Sequence, residues 1–132
     1  MAGHVQQELY HVTDAGNCTA ILREGLTARA GSWNGVAWKP RVFFTTNRMA
    51  AYEIANNLIW ERKGEYIIIR VDRAKLCGRL RQDRDYDHGV WTGTDVSPEA
   101  IVGIDEVDEE FFECDEFLAY MDGEPVDEAT LP

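Results

Sequence analysis

One run constrains this chain more than any other: Glu65-Tyr-Ile-Ile-Ile-Arg-Val-Asp72. Its apolar centre is unbroken, where a strand with one wet face would alternate. The run predicts a strand covered on both faces. The chain has 132 residues, one domain's worth. That is enough to bury roughly two thirds of the unfolded surface without staples. With 45% hydrophobic and 28% charged residues, the composition is that of a globular protein and argues against wholesale disorder. We read residues 1–132 as a single domain with an acidic C-terminal segment, 105–132.

Other elements follow from local pattern. Residues 1–7 read as a loose start. Glu8-Leu-Tyr-His-Val-Thr13 alternates and predicts a short strand. Asp14 to Gly25 predicts a helix, capped by Asp14 or Asn17 and stopped by Gly25. Residues 27–40 hold two Gly, one Pro and two Trp, and read as a long aromatic loop. Arg41 to Thr46 predicts a second strand. Thr46 or Asn47 then caps a helix to about Arg62, with Ala51, Ile54, Ala55, Leu58 and Ile59 at helical spacing. Residues 73–89 read as irregular. Val90-Trp91-Thr92 and Ala100 to Ile104 predict further short strands. From Asp105, acids alternate with Val107, Phe111, Phe112, Phe117 and Leu118, a stretch with one packed and one solvated face. The last ten residues read as frayed. The expected class is α+β.

Charge is divided along the chain. All 13 Lys and Arg lie in residues 1–84, with eight of the 24 Asp and Glu. Residues 85–132 carry the other 16 acids and no base, and the whole chain stands at −11. Such a chain can present one cationic and one strongly anionic surface. The total charge argues against nucleic-acid coating, which needs a net cationic face. It leaves room for a small phosphate ligand on the cationic half. Cys18, Cys77 and Cys114 are odd in number and widely spaced, so neither a disulfide framework nor a zinc cage is expected, and a cytoplasmic setting is. No apolar run approaches about 18 residues, and the first residues lack a cationic start followed by an apolar stretch. Neither a membrane span nor a secretory signal is expected.

Familiar motifs are absent. The sequence has no GxGxxG, Walker loop, HExxH or GxSxG. His4, His11 and His88 stand apart from other ligand types at helical spacing, so no catalytic metal is expected. Asp83 to Asp87 lacks the glycine and terminal Glu of a calcium loop.

Three segments remain. The first is Leu9-Tyr10-His11-Val12-Thr13 with Asn17, Ile21-Leu22 and Gly25-Leu26. The second is Val42-Phe43-Phe44-Thr45-Thr46 with Ala50-Ala51. The third is Asp83 to Asp87 with Ser97-Pro98-Glu99-Ala100-Ile101 beyond. In this order they resemble the ADP-ribosyltransferase superfamily over roughly residues 8–105. The first segment is similar to the tyrosine-histidine strand of small bacterial and phage members. The helix and Gly-Leu that follow resemble those of the DNA-targeting toxins and the RNA 2′-phosphotransferases. Strand 65–72 through Ile104 resembles the rifampin-modifying enzymes.

The resemblance implies a split, curved β core of two small sheets with flanking helices, and NAD bound in the cleft between them. It implies an enzyme that transfers ADP-ribose and releases nicotinamide. Breaking that N-glycosidic bond passes through an oxocarbenium-like transition state, which needs a nearby carboxylate and a held sugar. The resemblance gives His11 to a ribose hydroxyl, with Tyr10 beside it, and Thr13 to the adenosine side. Phe43 or Phe44 would stack on nicotinamide; strict alternation admits one of them, and Phe44 is favoured. Thr45 follows on the same strand, and Tyr52 is a second aromatic candidate. Arg23, Arg41 and Arg48 compete for the pyrophosphate, Arg23 being favoured. Asp85, Asp87 and Glu99 compete as the catalytic acid, with Asp85 ahead of Asp87. Each of these residues also has a plain structural use, as core filler or solvated charge.

The acceptor is expected to be a macromolecule, such as a protein with a cationic surface, or a small molecule, with direct nucleic-acid binding disfavoured. A contrasting expectation needs no catalysis. The acidic half resembles a nucleic acid in charge alone, and such a face can occupy a nucleic-acid-binding site on a partner.

Overall fold

The computed structural model describes residues 8–33, 35–84 and 86–123. The predicted loose start, the candidate acid Asp85 and the segment 124–132 lie outside the described residues. The fold is α+β. Seven antiparallel strands run β1 (Glu8–Asp14), β2 (Arg29–Trp33), β3 (Val36–Thr45), β4 (Tyr66–Asp72), β5 (Arg81–Gln82), β6 (Gly89–Thr92) and β7 (Ile101–Glu106). Three α-helices join them: α1 (Cys18–Glu24), α2 (Arg48–Arg62) and α3 (Asp115–Met121). Short 3₁₀ turns lie at Ala15–Asn17, Arg73–Lys75, Pro98–Ala100 and Glu109–Glu113. No helix among the described residues is long and apolar enough to cross a membrane.

The strand order is β5-β6-β3-β1-β4-β7, with β2 paired to β3, and the sheet is not closed. β1 lies along β4 for its whole length, from Glu8↔Asp72 to Asp14↔Tyr66. Its other edge behaves differently: among the described residues β1 and β3 share one register pair, Tyr10↔Thr45. Beyond that pair the edges part. The sheet therefore divides into a β1-β4-β7 half and a β2-β3-β6-β5 half, hinged at Tyr10 and Thr45.

β4 is the central strand that its apolar run demands. Ile67, Ile69 and Val71 join one core with Leu9, Val42 and Phe44, while Ile68 enters a second with Met49, Ala51, Tyr52 and Phe117. A two-residue period places alternate side chains on opposite faces, so an unbroken apolar run requires a core on each. The second core is closed by the C-terminal segment, where Phe111 stacks on Tyr52 at 3.8 Å. The acid-rich stretch after Asp105 thus turns one aromatic face inward, and Phe117 is buried while Leu118 is half exposed.

Caps set the element ends. The Asp14 carboxylate accepts from Gly16 N at 2.8 Å, and the Asn47 side chain accepts from Met49 N at 2.8 Å to start α2. α2 is buried over Met49–Tyr52 and Ala55, whereas Trp60 near its end stands 80% exposed. α1 stops at Gly25, with φ +83°, and Gly25 N donates to Ile21 O at 2.7 Å. There Leu26 and Val96 exchange two backbone hydrogen bonds, of 2.9 and 2.8 Å.

Residues 27–40 correct the sequence expectation. Residues 29–33 and 36–40 form β2 and the start of β3 where a long loop was expected. Gly and Pro punctuate most strands, but this hairpin tolerates them for a physical reason. Among the described residues β2 pairs with β3 alone, and its register shifts between Arg29 and Gly31. Two steps along β2 face three along β3 there, so the bulge lies on β3 around Pro40, and a bulged position needs no ladder bond. A β-carbon on Gly31 would lie 2.5 Å from the Trp38 ring, so the missing side chain is where the indole packs.

Candidate active site

The split between β1 and β3 opens a groove of about 410 Å³, walled by β1, α1 and the β2–β3 hairpin. His11 sits at its head. Its Nδ1 lies 2.7 Å from the Phe43 main-chain oxygen, so the ring spans the gap that the strands leave. A carbonyl oxygen only accepts, so Nδ1 carries the proton and Nε2 of the neutral ring remains an acceptor. Burial holds His11 below the ordinary histidine value, and the Phe43 carbonyl offsets this only in part. The ring also meets Phe44 edge-on, with centroids 6.1 Å apart.

Below His11, Thr13 lines the groove, and its Oγ1 accepts from Asn17 Nδ2 at 3.0 Å. That bond leaves the hydroxyl hydrogen for another acceptor. Arg29 and Arg41 line the opposite wall, and Trp38 and Phe43 supply aromatic surface. Trp38 and Phe43 meet edge-on at 5.4 Å.

A smaller cavity of about 280 Å³ also touches His11 and is lined by Tyr10, Thr45, Asp83 and Tyr86 among others. Asp83 opens the β5–β6 connection, and Gln82 organises that connection. Its Nε2 lies 3.0 Å from Gly89 O, 3.1 Å from Asp87 O and 3.2 Å from both Tyr86 O and Asp83 O. One side-chain amide thus gathers four carbonyls of the segment that carries the candidate acids. Burial raises the Tyr86 phenol, as does the Glu53 carboxylate. Tyr120, raised chiefly by burial and further by Glu53 and Tyr86, lies beside them.

The structure brings His11, Thr13 and Arg41 to one groove, and Tyr10, Phe44, Thr45 and His11 to the adjoining cavity. Other candidates fall elsewhere. Phe44 reaches only the smaller cavity and is otherwise 3% exposed in the first core, so the ring that faces the larger groove is Phe43. β3 alternation decides this: Val42 and Phe44 share the core face, and Phe43 takes the other. Tyr52 lies in the second core against Phe111, because the buried side of α2 faces Ile68 and Phe117 rather than the split. Arg23 projects to solvent and pairs with Glu24 at 3.2 Å. Arg48 is tied to Asp105 at 3.5 Å, at the start of α2. Asp87 and Glu99 are exposed and line neither cavity.

Arg29 and Trp38 line the groove, and Gln82 organises the loop beside the smaller cavity, without a mark in the sequence. Arg29 and Trp38 belong to the hairpin read as a loop, where no facing can be assigned. Gln82 acts through one amide on main-chain oxygens, and that leaves no sequence pattern. Asp83 opens the acidic cluster 83–87 and is the member of it that lines the smaller cavity. Among the described residues no group of three or more His, Cys, Asp or Glu gathers as a metal site.

No family model matches the chain. A search of curated proteins finds similarity to a "Probable RNA 2′-phosphotransferase" of Rhizobium leguminosarum bv. trifolii, 33% identical over 88 residues. The match takes in 67% of this chain and 41% of that protein, so the chain spans less than half the length of this relative. The similarity is distant and partial, to an enzyme named as a transferase.

Proposed function

We propose that this chain is an NAD-dependent transferase of the ADP-ribosyl type, built as one domain with an acidic C-terminal segment. One observation carries it: the His11 imidazole bridges the split at 2.7 Å from Phe43 O, heading a groove that also holds two arginines, a hydroxyl and aromatic surface. This donor set suits a dinucleotide, which presents phosphates, sugar hydroxyls and flat rings, and a volume of about 410 Å³ is of cofactor size. The distant likeness to a transferase supports the same class.

Bound NAD would supply the labile nicotinamide–ribose bond. The chain's own residues do the rest. Arg29 and Arg41 offer guanidinium forks to phosphate oxygens. His11 Nε2 accepts a hydrogen bond from a sugar hydroxyl, and its low pKa keeps it neutral for that role. Thr13, oriented by Asn17, donates its hydroxyl hydrogen, and Phe43 and Trp38 give the flat wall. The connection 83–87 supplies the carboxylate that stabilises positive charge on the reacting sugar. Asp85 is the acid we assign there, with Asp87 as its alternate and Asp83, which shares a cavity with His11, as its neighbour.

Nicotinamide release is the test. Wild-type protein should consume NAD, with a calorimetric binding signal, and His11→Ala and Asp85→Ala should each lower the rate by roughly a hundredfold or more. If NAD neither binds nor is consumed in the presence of cell extract, the proposal fails.

A further inference from the structure

We propose that a trough beside the groove is a second site, which takes the phosphate group of a nucleotide unit. It measures about 660 Å³ and is lined by Arg41, Arg79, Arg81, Arg84, Trp91 and Asp83, with Leu80 and Gln82. Register builds it. Trp91 on β6 pairs with Phe43 on β3 and with Arg81 on β5, which places Trp91, Phe43, Arg81 and Arg41 on one face of the sheet. The Arg41 guanidinium lies 3.7 Å above the Trp91 ring, and that of Arg81 lies 5.8 Å from it. The indole therefore holds one arginine in place and has a second at its edge.

Four guanidinium groups around one hollow repel one another, so the cluster calls for anions. The chain has acids in excess, yet the ion pairs of Arg23, Arg48 and Arg70 use Glu24, Asp105 and Glu8, none of which lines the trough. Asp83 is the one acid among the described lining residues. Guanidinium forks match phosphate oxygens, and an indole offers a surface to a flat ring.

Charge also limits the ligand. The whole chain stands at −11, so a long polyanion would be attracted here and repelled beyond. The ligand is accordingly short: a free nucleotide or the phosphorylated end of a strand. Arg41 lines both the trough and the His11 groove, which places the two sites side by side. The site is distinct from the NAD groove, and its test does not involve NAD.

The test is a calorimetric titration of the full chain, with NAD left out. The probes are thymidine diphosphate and a thymidine trinucleotide carrying either a 5′-phosphate or a 5′-hydroxyl. Thymidine diphosphate should bind, more weakly as salt rises. In Arg81→Gln/Arg84→Gln the affinity should fall about tenfold or more, while Thr13→Val in the groove should leave it unchanged. Both arginines are exposed, and circular dichroism checks that the variant is folded. Binding of thymidine diphosphate alone identifies a free nucleotide as the source. Added binding of the phosphorylated trinucleotide, and not of its hydroxyl form, identifies a strand end. No binding at millimolar concentration overturns the proposal. So does affinity unmoved in the arginine variant, affinity lost in Thr13→Val, or equal binding of the two trinucleotides.

Discussion

Gly25→Ala is the most severe small change the structure offers near the groove. Gly25 caps α1 with φ +83° and ψ −165°, a region essentially closed to side chains. A β-carbon there would stand 1.9 Å from Val96 O, a backbone atom that cannot swing aside. That oxygen accepts from Leu26 N at 2.9 Å, and Val96 N donates back to Leu26 O at 2.8 Å. The backbone strain costs about 1–3 kcal/mol and the two endangered hydrogen bonds about 1 kcal/mol each, together about 3–5 kcal/mol. Domains of this kind hold about 5–15 kcal/mol in all. With a urea slope of about 2 kcal/mol per molar, the midpoint should fall by roughly 2 M. Gly64→Ala is the control. Gly64 has φ +104°, but nothing lies within 4 Å of its would-be β-carbon. It should lose only the strain part, about 1–3 kcal/mol. If Gly25→Ala moves the midpoint no further than Gly64→Ala, at unchanged slope, the close approach to Val96 is not what demands glycine.

Two further predictions rest on the loop and on His11. The folded pKa of His11 lies below its ordinary value of 6.5, so the unfolded chain binds the extra proton first. Its contribution to stability is fully present above about pH 6.5 and is lost as pH falls through the lowered value. Urea midpoints taken between about pH 5 and 7.5 should drop more steeply toward acid for wild type than for His11→Gln, and parallel curves would contradict the burial of the ring. Replacing Gln82 by Glu removes a donor from four carbonyls and adds a charge they repel. Amide exchange in residues 83–89 should speed up about tenfold or more while β4 stays protected, and unchanged protection there would show that the loop holds itself.

Five of the seven strands, two of the helices and the groove's first residue were legible because each leaves a local mark; β5 (Arg81–Gln82) falls in 73–89, read as irregular, because two residues show no period. An unbroken Ile-Ile-Ile run needs two covering faces whatever the topology, and β4 has them. Asn47 and Gly25 announce helix ends through side-chain and backbone chemistry that acts within a few residues. Tyr10-His11 and the aromatic β3 strand could be set side by side on resemblance, and they are neighbours in the sheet. The hairpin at 27–40 was not legible, since an edge with a bulge carries the same Gly and Pro that mark loops. Helix α3 was read only as a stretch with two faces, because seven residues show too little of any period.

What sequence alone determined is local: most of the segments that become strands, where α1 and α2 stop, and that charge is divided along the chain. Tertiary structure decided what faces what. Among the described residues β1 leaves β3 after a single register pair, and that departure creates the groove. β3 alternation then sends Phe44 into the core and Phe43 to the groove, while packing against Phe111 withdraws Tyr52. Arginines spread from position 41 to 84 meet around Trp91 because antiparallel register brings β3, β6 and β5 together. Backbone propensity and capping act over a few residues, but a cleft is made where two strands stop pairing, and no short stretch of chain contains both edges.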